Sequence, residues 1–251
     1  VLILLCLLVW PVATRTALAD CPGNLLANPG FEEGVYDTAT LGFATSAGTM
    51  ADGWRPWFIN GDSAHPGDDS YNRRPAWGVL VAGAIADADY RIYAGEKALQ
   101  FGSTASTHVA GFYQRIPATA GEEITFSIWV QIYTGQRALE AGGHPISDLQ
   151  QPASEAERAN LGPGDYRAYA GIDPNGAVPG SYGSPYPAAV VWSDGMLDAQ
   201  TRQKDAQGLD TDAWVQVSVS TVAQADYVTV YTRSRPRHRV TYNQSFWDEA
   251  C

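Results

Sequence analysis

The chain has 251 residues and a mass of 27.0 kDa, enough for one large domain or two small ones around a sizeable core. Charged residues make up only 17% and aromatics 11%, while 25 Gly and 15 Pro supply turns in quantity, which excludes a coiled coil and argues against disorder. The formal net charge of -11 repels phosphate backbones and anionic membrane surfaces, so nucleic acid is not an expected partner.

Val1 to Val9 is an unbroken apolar run ended by Pro11, and Ala17-Leu18-Ala19 before Asp20 fits the small-x-small cleavage pattern of a secretory signal. Residues 1–19 therefore read as a signal peptide, truncated at its start, with the mature chain beginning at Asp20. The apolar run is far shorter than the roughly 20 residues that cross a bilayer, so no stable membrane span is expected and the location reads as secreted or extracellular. Cys6 leaves with the signal. Cys21 and Cys251 remain, and in an oxidising compartment they are expected to pair; the alternative is two unrelated thiols. Such a bond closes nearly the whole mature chain, which the chain-entropy estimate values at about 4 to 5 kcal/mol.

Beyond Cys21, period-two alternation bounded by Gly, Pro, Asn and Asp recurs, and no helical period dominates. Strand candidates in order are Asn24 to Leu26, Trp77 to Ala82, Ala98 to Phe101, Gly111 to Ile116, Ile124 to Tyr133, Tyr166 to Ile172, Ala188 to Trp192, Trp214 to Ser220, Tyr227 to Arg233 and Arg239 to Trp247. About eight to ten short antiparallel strands predict an all-β fold, a two-sheet antiparallel β-sandwich. In the clearest strand, Ile124, Phe126, Ile128, Val130 and Ile132 take the core face, and Thr125, Ser127, Trp129, Gln131 and Tyr133 the other. Between Gly135 and Asp165 the pattern lapses into a long loop, with a short helix suggested over Ser154 to Asn160.

The opening Asn24-Leu-Leu-Ala-Asn-Pro-Gly-Phe-Glu-Glu-Gly34, followed by Gly53-Trp54-Arg-Pro-Trp57, resembles the start of jelly-roll carbohydrate-binding modules and related galactose-binding-like domains. Gly95-Glu-Lys-Ala-Leu-Gln-Phe101, Gly111-Phe-Tyr-Gln-Arg-Ile116, the strand from Ile124 to Val130 and the closing Phe246-Trp-Asp-Glu-Ala250 are similar to later landmarks of that family, in the same order. The resemblance spans nearly all of the mature chain and implies a jelly roll with its first and last strands side by side, in agreement with the pairing of Cys21 and Cys251. It also implies a structural calcium held by the Glu32 carboxylate, main-chain oxygens at Gly30 and Lys97, and Asp248, an all-oxygen set of the kind a hard cation takes. The plainer reading makes Glu32 and Asp248 ordinary surface carboxylates.

A pyranose offers a face of C-H groups and a rim of hydroxyls, which proteins meet with an aromatic plate and nearby amides, carboxylates or arginines. The non-core faces of the predicted strands carry Tyr113 and Arg115, then Trp129, Gln131 and Tyr133, then Tyr231 and Arg233. In the family these strands contribute to a concave sheet, so one groove is expected to hold them all. Trp54, Trp57 and Trp77, in Gly- and Pro-rich connections, are candidates to wall one end, with packing against the sheet as the alternative for Trp54 and Trp57. Arg233, Arg235, Arg237, His238 and Arg239 cluster around Pro236 and offer a grip for a carboxylate or sulfate, or else form a solvated turn.

Enzyme signatures are missing from the sequence. The four His (His65, His108, His144, His238) lack metal-ligand spacing, and neither a Gly-x-Ser-x-Gly elbow nor a Gly-rich phosphate loop occurs. The adjacent pairs Asp68-Asp69 and Glu32-Glu33 point to opposite faces in extended chain and do not flank one bond; two carboxylates from distant strands, assembling a glycosidase, are the enzyme alternative. The reading is a secreted, non-catalytic domain over residues 20–251 that binds an extracellular polysaccharide or other glycan, with further domains of a longer chain possible. The alternative is a structural or adhesive cell-surface or matrix domain of the same fold without sugar affinity.

Overall fold

The computed structural model describes residues 21–41, 48–59, 74–84, 88–104, 106–135, 165–181, 183–197, 202–204, 210–237, 240 and 242–251. The signal segment 1–19, the loop interior 136–164 with its suggested helix, and His65, Asp68, Asp69, His144, His238 and Arg239 lie outside the described residues. Strands run over Val35–Asp37 (β1), Thr49–Ala51 (β2), Arg55–Phe58 (β3), Ala76–Val81 (β4), Lys97–Thr104 (β5), Ala110–Pro117 (β6), Glu123–Gly135 (β7), Tyr166–Asp173 (β8), Val191–Trp192 (β9), Met196–Leu197 (β10), Arg202–Lys204 (β11), Asp210–Asp212 (β12), Val215–Val222 (β13), Tyr227–Pro236 (β14) and Tyr242–Asp248 (β15). Short 3-10 turns occupy Thr38–Leu41 and Ala88–Arg91, and the described residues contain no α-helix.

Two antiparallel sheets face each other. One has the order β13-β7-β15-β5-β4, the other β10-β8-β14-β6-β3, with β9 added to β8. From β5 onward the long strands step from one sheet to the other at each connection: β5, β7, β13 and β15 lie in the five-stranded sheet and β6, β8 and β14 in the opposite one. That wiring is a jelly-roll β-sandwich: the alternating pattern predicts the two sheets, and the family resemblance implies the jelly roll. The remaining short strands pair as the ribbons β1-β2 and β11-β12.

The core forms where the inward faces meet. Phe126, Ile128, Val130 and Ile132 of β7 are buried, with Ile124 packed partly buried beside them, so the predicted core face is the observed one. They meet Phe112 and Ile116 of β6, Ala168, Ala170 and Ile172 of β8, and Val228 and Val230 of β14. Phe112 sits among Phe31, Trp54, Phe101 and Trp247, with ring centroids 5.2 to 5.9 Å apart in mostly edge-on geometry. One chain of buried polar residues links the two sheets. Ser103 Oγ meets His108 Nδ1 at 2.8 Å, His108 Nε2 meets the Tyr166 hydroxyl at 3.1 Å, and that hydroxyl donates to Ser245 Oγ at 2.9 Å.

Several expectations are corrected. Asn24 to Leu26 is not a strand: the Asn24 side chain accepts from the Leu26 N–H at 3.1 Å and donates to the Ala250 carbonyl at 2.9 Å, replacing a ladder with a local turn. Arg55 to Phe58, expected as a connection, is a strand at the edge of the second sheet, the position where Pro56 can be accommodated without an N–H to donate. Ala188 to Trp192 shortens to Val191–Trp192, and the last strand is described over Tyr242–Asp248. Strands of two or three residues, such as β1, β2, β10, β11 and β12, are too short for alternation to reveal.

Cys21 and Cys251 form a disulfide with their Cα atoms 6.0 Å apart, across a sequence separation of 230 residues. The closing residues are also held by backbone: Cys251 and Ser127 exchange two N–H to carbonyl bonds of 2.8 Å, and the Ala250 N–H donates to Pro29 at 3.0 Å. The two ends of the domain therefore lie together at one point of the sandwich.

Candidate functional site

The residues expected to share one groove divide between two surfaces. Tyr113 and Arg115 on β6 and Tyr231 and Arg233 on β14 point outward from one sheet; Trp129, Gln131 and Tyr133 on β7 point outward from the other. Since β6 and β14 lie opposite β7 across the core, a single groove holding all seven is ruled out. The alternation along each strand was read correctly, but the assignment of strands to sheets was not legible in it.

On the outer face of the six-stranded sheet, aromatic rings build a second, smaller cluster separate from the core. Its floor is Trp57 and Tyr231, both buried, with Trp57 Nε1 donating to the Thr232 carbonyl at 3.0 Å and the Tyr231 hydroxyl donating to the Ala177 carbonyl at 2.7 Å. Burial drives the Tyr231 phenol far above its ordinary pKa, with the nearby Asp173 charge adding to the effect, so it stays neutral. Above this floor lie half-buried rings: Tyr113 stacks on Tyr231 at 5.6 Å, Tyr186 meets Trp57 edge-on at 5.2 Å, and Trp192 meets Tyr186 at 4.9 Å. Burial also raises the Tyr113 phenol, against the opposing pull of the Arg55 guanidinium that hydrogen-bonds it.

Arg233 knits this layer together. Its guanidinium lies 3.9 Å from the Tyr169 ring and 4.3 Å from the Trp192 ring, and its Nη1 donates to the Tyr186 hydroxyl at 2.7 Å. Two glycines make room for the rings. A Cβ on Gly171 would stand 2.6 Å from the Trp192 ring, and one on Gly195 would stand 2.6 Å from the Tyr169 ring. Tyr169, Tyr186 and Trp192 were not among the expected site residues. Tyr169 and Trp192 fell inside predicted strands without being assigned to this face, and Tyr186 lies in a connection that carries no period. Arg115 stands apart from the cluster, exposed, with its guanidinium 4.0 Å from the Tyr227 ring.

The outer face of the five-stranded sheet is partly closed by the chain itself. Gln131 is buried, accepting from Arg91 Nη1 at 3.0 Å and donating to the Asp212 carbonyl at 2.9 Å, so its amide is already engaged. Arg91 pairs with Asp212 at 2.6 Å and lies 4.9 Å from both the Tyr133 and Phe246 rings. Trp129 remains half-buried, stacked on Tyr93 at 4.3 Å with Trp214 at 5.6 Å from the same Tyr93 ring. Trp54 and Trp77, offered as groove walls, are core: both are buried among the inward rings, with Trp54 Nε1 donating to Asn28 and Trp77 Nε1 to Thr38.

The expected metal ligands gather at an acidic corner. The Glu32 carboxylate accepts from the Glu96 and Lys97 N–H groups at 2.8 and 3.0 Å, and Gly95 at φ 65 brings the backbone too close to Glu32 for any side chain to fit. Asp248 accepts from the N–H groups of Tyr93, Ala94 and Glu249 at 2.8 to 3.1 Å. Burial pushes its carboxyl up to about 8 against those donors, and burial together with the Glu32 charge raises Glu249. Gly30 adjoins Glu249. Lys97 presents its N–H to the Glu32 carboxylate and its ammonium to the Glu32 carbonyl. Among the described residues no group of three or more His, Cys, Asp or Glu side chains stands close enough to hold a metal.

No protein-family model matches the chain, and no curated protein matches it. Among solved structures it is similar to the TmCBM61 module in complex with β-1,4-galactotriose, with a TM-score of 0.42 and 12% identity over 90% of this chain and 95% of that one. It is also similar to the K1 cleaved adhesin domain of Lys-gingipain from Porphyromonas gingivalis W83, with a TM-score of 0.40 and 12% identity over 80% and 90% of the two chains. A carbohydrate-binding module specific for non-crystalline cellulose, CBM28, is similar at a TM-score of 0.34 and 10% identity over 91% and 95%.

Proposed function

We propose that this is a secreted, non-catalytic glycan-binding domain whose sugar surface is the outer face of the six-stranded sheet. The observation that carries the reading is the half-buried layer of Tyr113, Tyr186 and Trp192 resting on the buried Trp57 and Tyr231, outside the sandwich core. Rings needed only for folding are normally enclosed between the sheets; these are held rigid from below and leave part of their surface to solvent. Arg55 and Arg233 beside them supply donors for hydroxyl groups, the pairing of plate and polar rim that a sugar ring requires. The Cys21–Cys251 disulfide supports an oxidising compartment. No helix among the described residues is long and apolar enough to cross a membrane.

In this reading a structural calcium at Glu32, Gly30, Lys97 and Asp248 braces the junction of the opening segment and β15 and takes no part in chemistry. The experiment that tests the sugar surface is depletion of the protein by insoluble polysaccharides, comparing the native chain with Trp192→Ala. Retention on one glycan class that disappears in the variant supports the surface. Equal retention of the two proteins removes it.

A second reading has one observation in its favour. The segment from Ala177 to Trp192 already lies over the floor of the cluster, through the Tyr231 to Ala177 hydrogen bond and the Tyr186 to Trp57 contact. A structural or adhesive domain would use such a face for packing alone. It predicts no glycan retention in any class and a large stability loss in Trp192→Ala.

A further inference from the structure

We infer that the pocket between β8 and β14 is a subsite for a carboxylate or sulfate group on a sugar, so that the bound glycan is acidic; this rests on the glycan reading above. The pocket, about 280 Å³, is lined by Arg167, Tyr169, Arg235 and Arg237. It adjoins the aromatic cluster, because Tyr169 is also the ring against which Arg233 stacks. Its volume falls below the roughly 300–1,000 Å³ usual for small-molecule sites, which suits one charged ring or its substituent rather than a length of chain.

The strand register creates the charge. Arg235 stands directly across from Arg167, and Arg233 directly across from Tyr169. Like charges opposite each other in an antiparallel pair are destabilising, so the register calls for countercharge beside it. Asp165 supplies countercharge from within the fold. Asp165 is 1% exposed and takes Arg167 Nε and Nη2 at 3.2 and 3.3 Å and Arg237 Nη1 at 3.4 Å. Its carbonyl also accepts the Arg237 N–H at 3.3 Å, which ties the end of β14 to the start of β8.

One buried carboxylate thus orients two guanidinium groups while three arginines line the space. The Arg167 and Arg237 side chains remain 37% and 40% exposed, so their outer edges face the pocket opening. A planar guanidinium held from behind meets a carboxylate or sulfate with paired N–H donors, which an ammonium does not do. The chain as a whole carries -11, and screening within about 8 Å at physiological salt lets the guanidinium groups of the pocket act on a ligand already at the surface.

The test is affinity electrophoresis of the native chain through gels holding polygalacturonate, the same polymer with its carboxyl groups reduced to neutral alcohols, or dextran sulfate. The account predicts retardation by polygalacturonate or dextran sulfate, about tenfold weaker binding to the reduced polymer, and loss of that difference in Arg235→Gln. Arg237→Gln repeats the test should the first variant fold poorly, as judged by its far-ultraviolet dichroism. Whichever of the two acidic polymers binds tells carboxylate from sulfate recognition. Equal retardation by the reduced and acidic polymers overturns the subsite and leaves the glycan reading standing. Retardation by none of them overturns the subsite, and retention on the insoluble polysaccharides then decides the glycan reading separately. Equal, salt-sensitive binding to single-stranded DNA also overturns the subsite, because the pocket would then read charge without sugar.

Discussion

Arg233 lies between Tyr169 and Trp192, its guanidinium 3.9 Å from one ring and 4.3 Å from the other. The side chain brings the rings of β8 and β9 to a shared cation and fixes Tyr186 by a hydrogen bond of 2.7 Å. A charge-assisted bond and two cation–ring contacts together contribute a few kcal/mol when partly desolvated. Arg233→Gln is therefore expected to cost about 2 to 3 kcal/mol in urea unfolding and to weaken glycan retention. Arg233→Lys is expected to recover only a fraction, because an ammonium cannot stack flat between two rings.

Trp192 and Trp129 are both half-buried tryptophans, on opposite outer faces of the sandwich. Trp192→Ala is expected to abolish retention on polysaccharide, and Trp129→Ala to leave it unchanged. Trp129 has the one ring partner Tyr93 and Trp192 the three rings of Tyr169, Tyr186 and Tyr231, yet both are only half-buried, so each is expected to cost about 1 to 3 kcal/mol of stability, less than a fully buried ring. Depletion assays and urea unfolding on both variants separate binding from folding.

Gly171 is where β8 makes room for the Trp192 ring. Gly171→Ala places a methyl group 2.6 Å from that ring and 2.8 Å from Val190, so the indole must move while the strand ladder can persist. The expected result is weakened glycan retention with unchanged far-ultraviolet dichroism. Full retention would show that the seating of Trp192 on the sheet does not matter.

The disulfide closes almost the whole described chain. Reduction, or the double change Cys21→Ser and Cys251→Ser, is expected to lower stability by up to about 4 to 5 kcal/mol through the larger freedom of the unfolded chain. Thermal scans with and without reductant check this. The backbone bonds of Cys251 with Ser127 and of Ala250 with Pro29 remain, so the fold itself is expected to survive.

The acidic corner gives a separate prediction. If calcium braces Glu32 and Asp248, the thermal midpoint rises in excess calcium over excess chelator, and Asp248→Asn removes the rise. An identical midpoint in both conditions in the native chain discards the ion and leaves the Glu96 and Lys97 N–H groups as the partners of the Glu32 carboxylate.

Period-two alternation was enough to assign the inward and outward faces of β6, β7 and β14, because burial on one side leaves a regular imprint on sequence. The same rule is silent on which strands share a sheet, and so Trp129 and Tyr113 looked like neighbours when they lie on opposite surfaces. Trp54 lies in a connection, where a ring can turn inward or outward at equal local cost, and packing, the alternative offered for it, is the outcome; Trp77 lies on β4, where alternation separates two faces without saying which of them meets the core. The Cys21–Cys251 pairing was legible because few alternatives existed once the signal segment was set aside. Arg167 and Arg235 carried no joint signal, since nearly seventy positions separate them and only the β8–β14 register brings them opposite each other.

The central claim is that glycan is bound by the aromatic layer outside the six-stranded sheet. The most direct measurement is retention of the native chain, Trp192→Ala and Trp129→Ala across a panel of insoluble polysaccharides, at equal protein concentration and with folding verified. The account predicts retention of the native chain and of Trp129→Ala on the same glycan class and none for Trp192→Ala. Retention lost in Trp129→Ala and kept in Trp192→Ala would contradict it and move the binding surface to the other sheet.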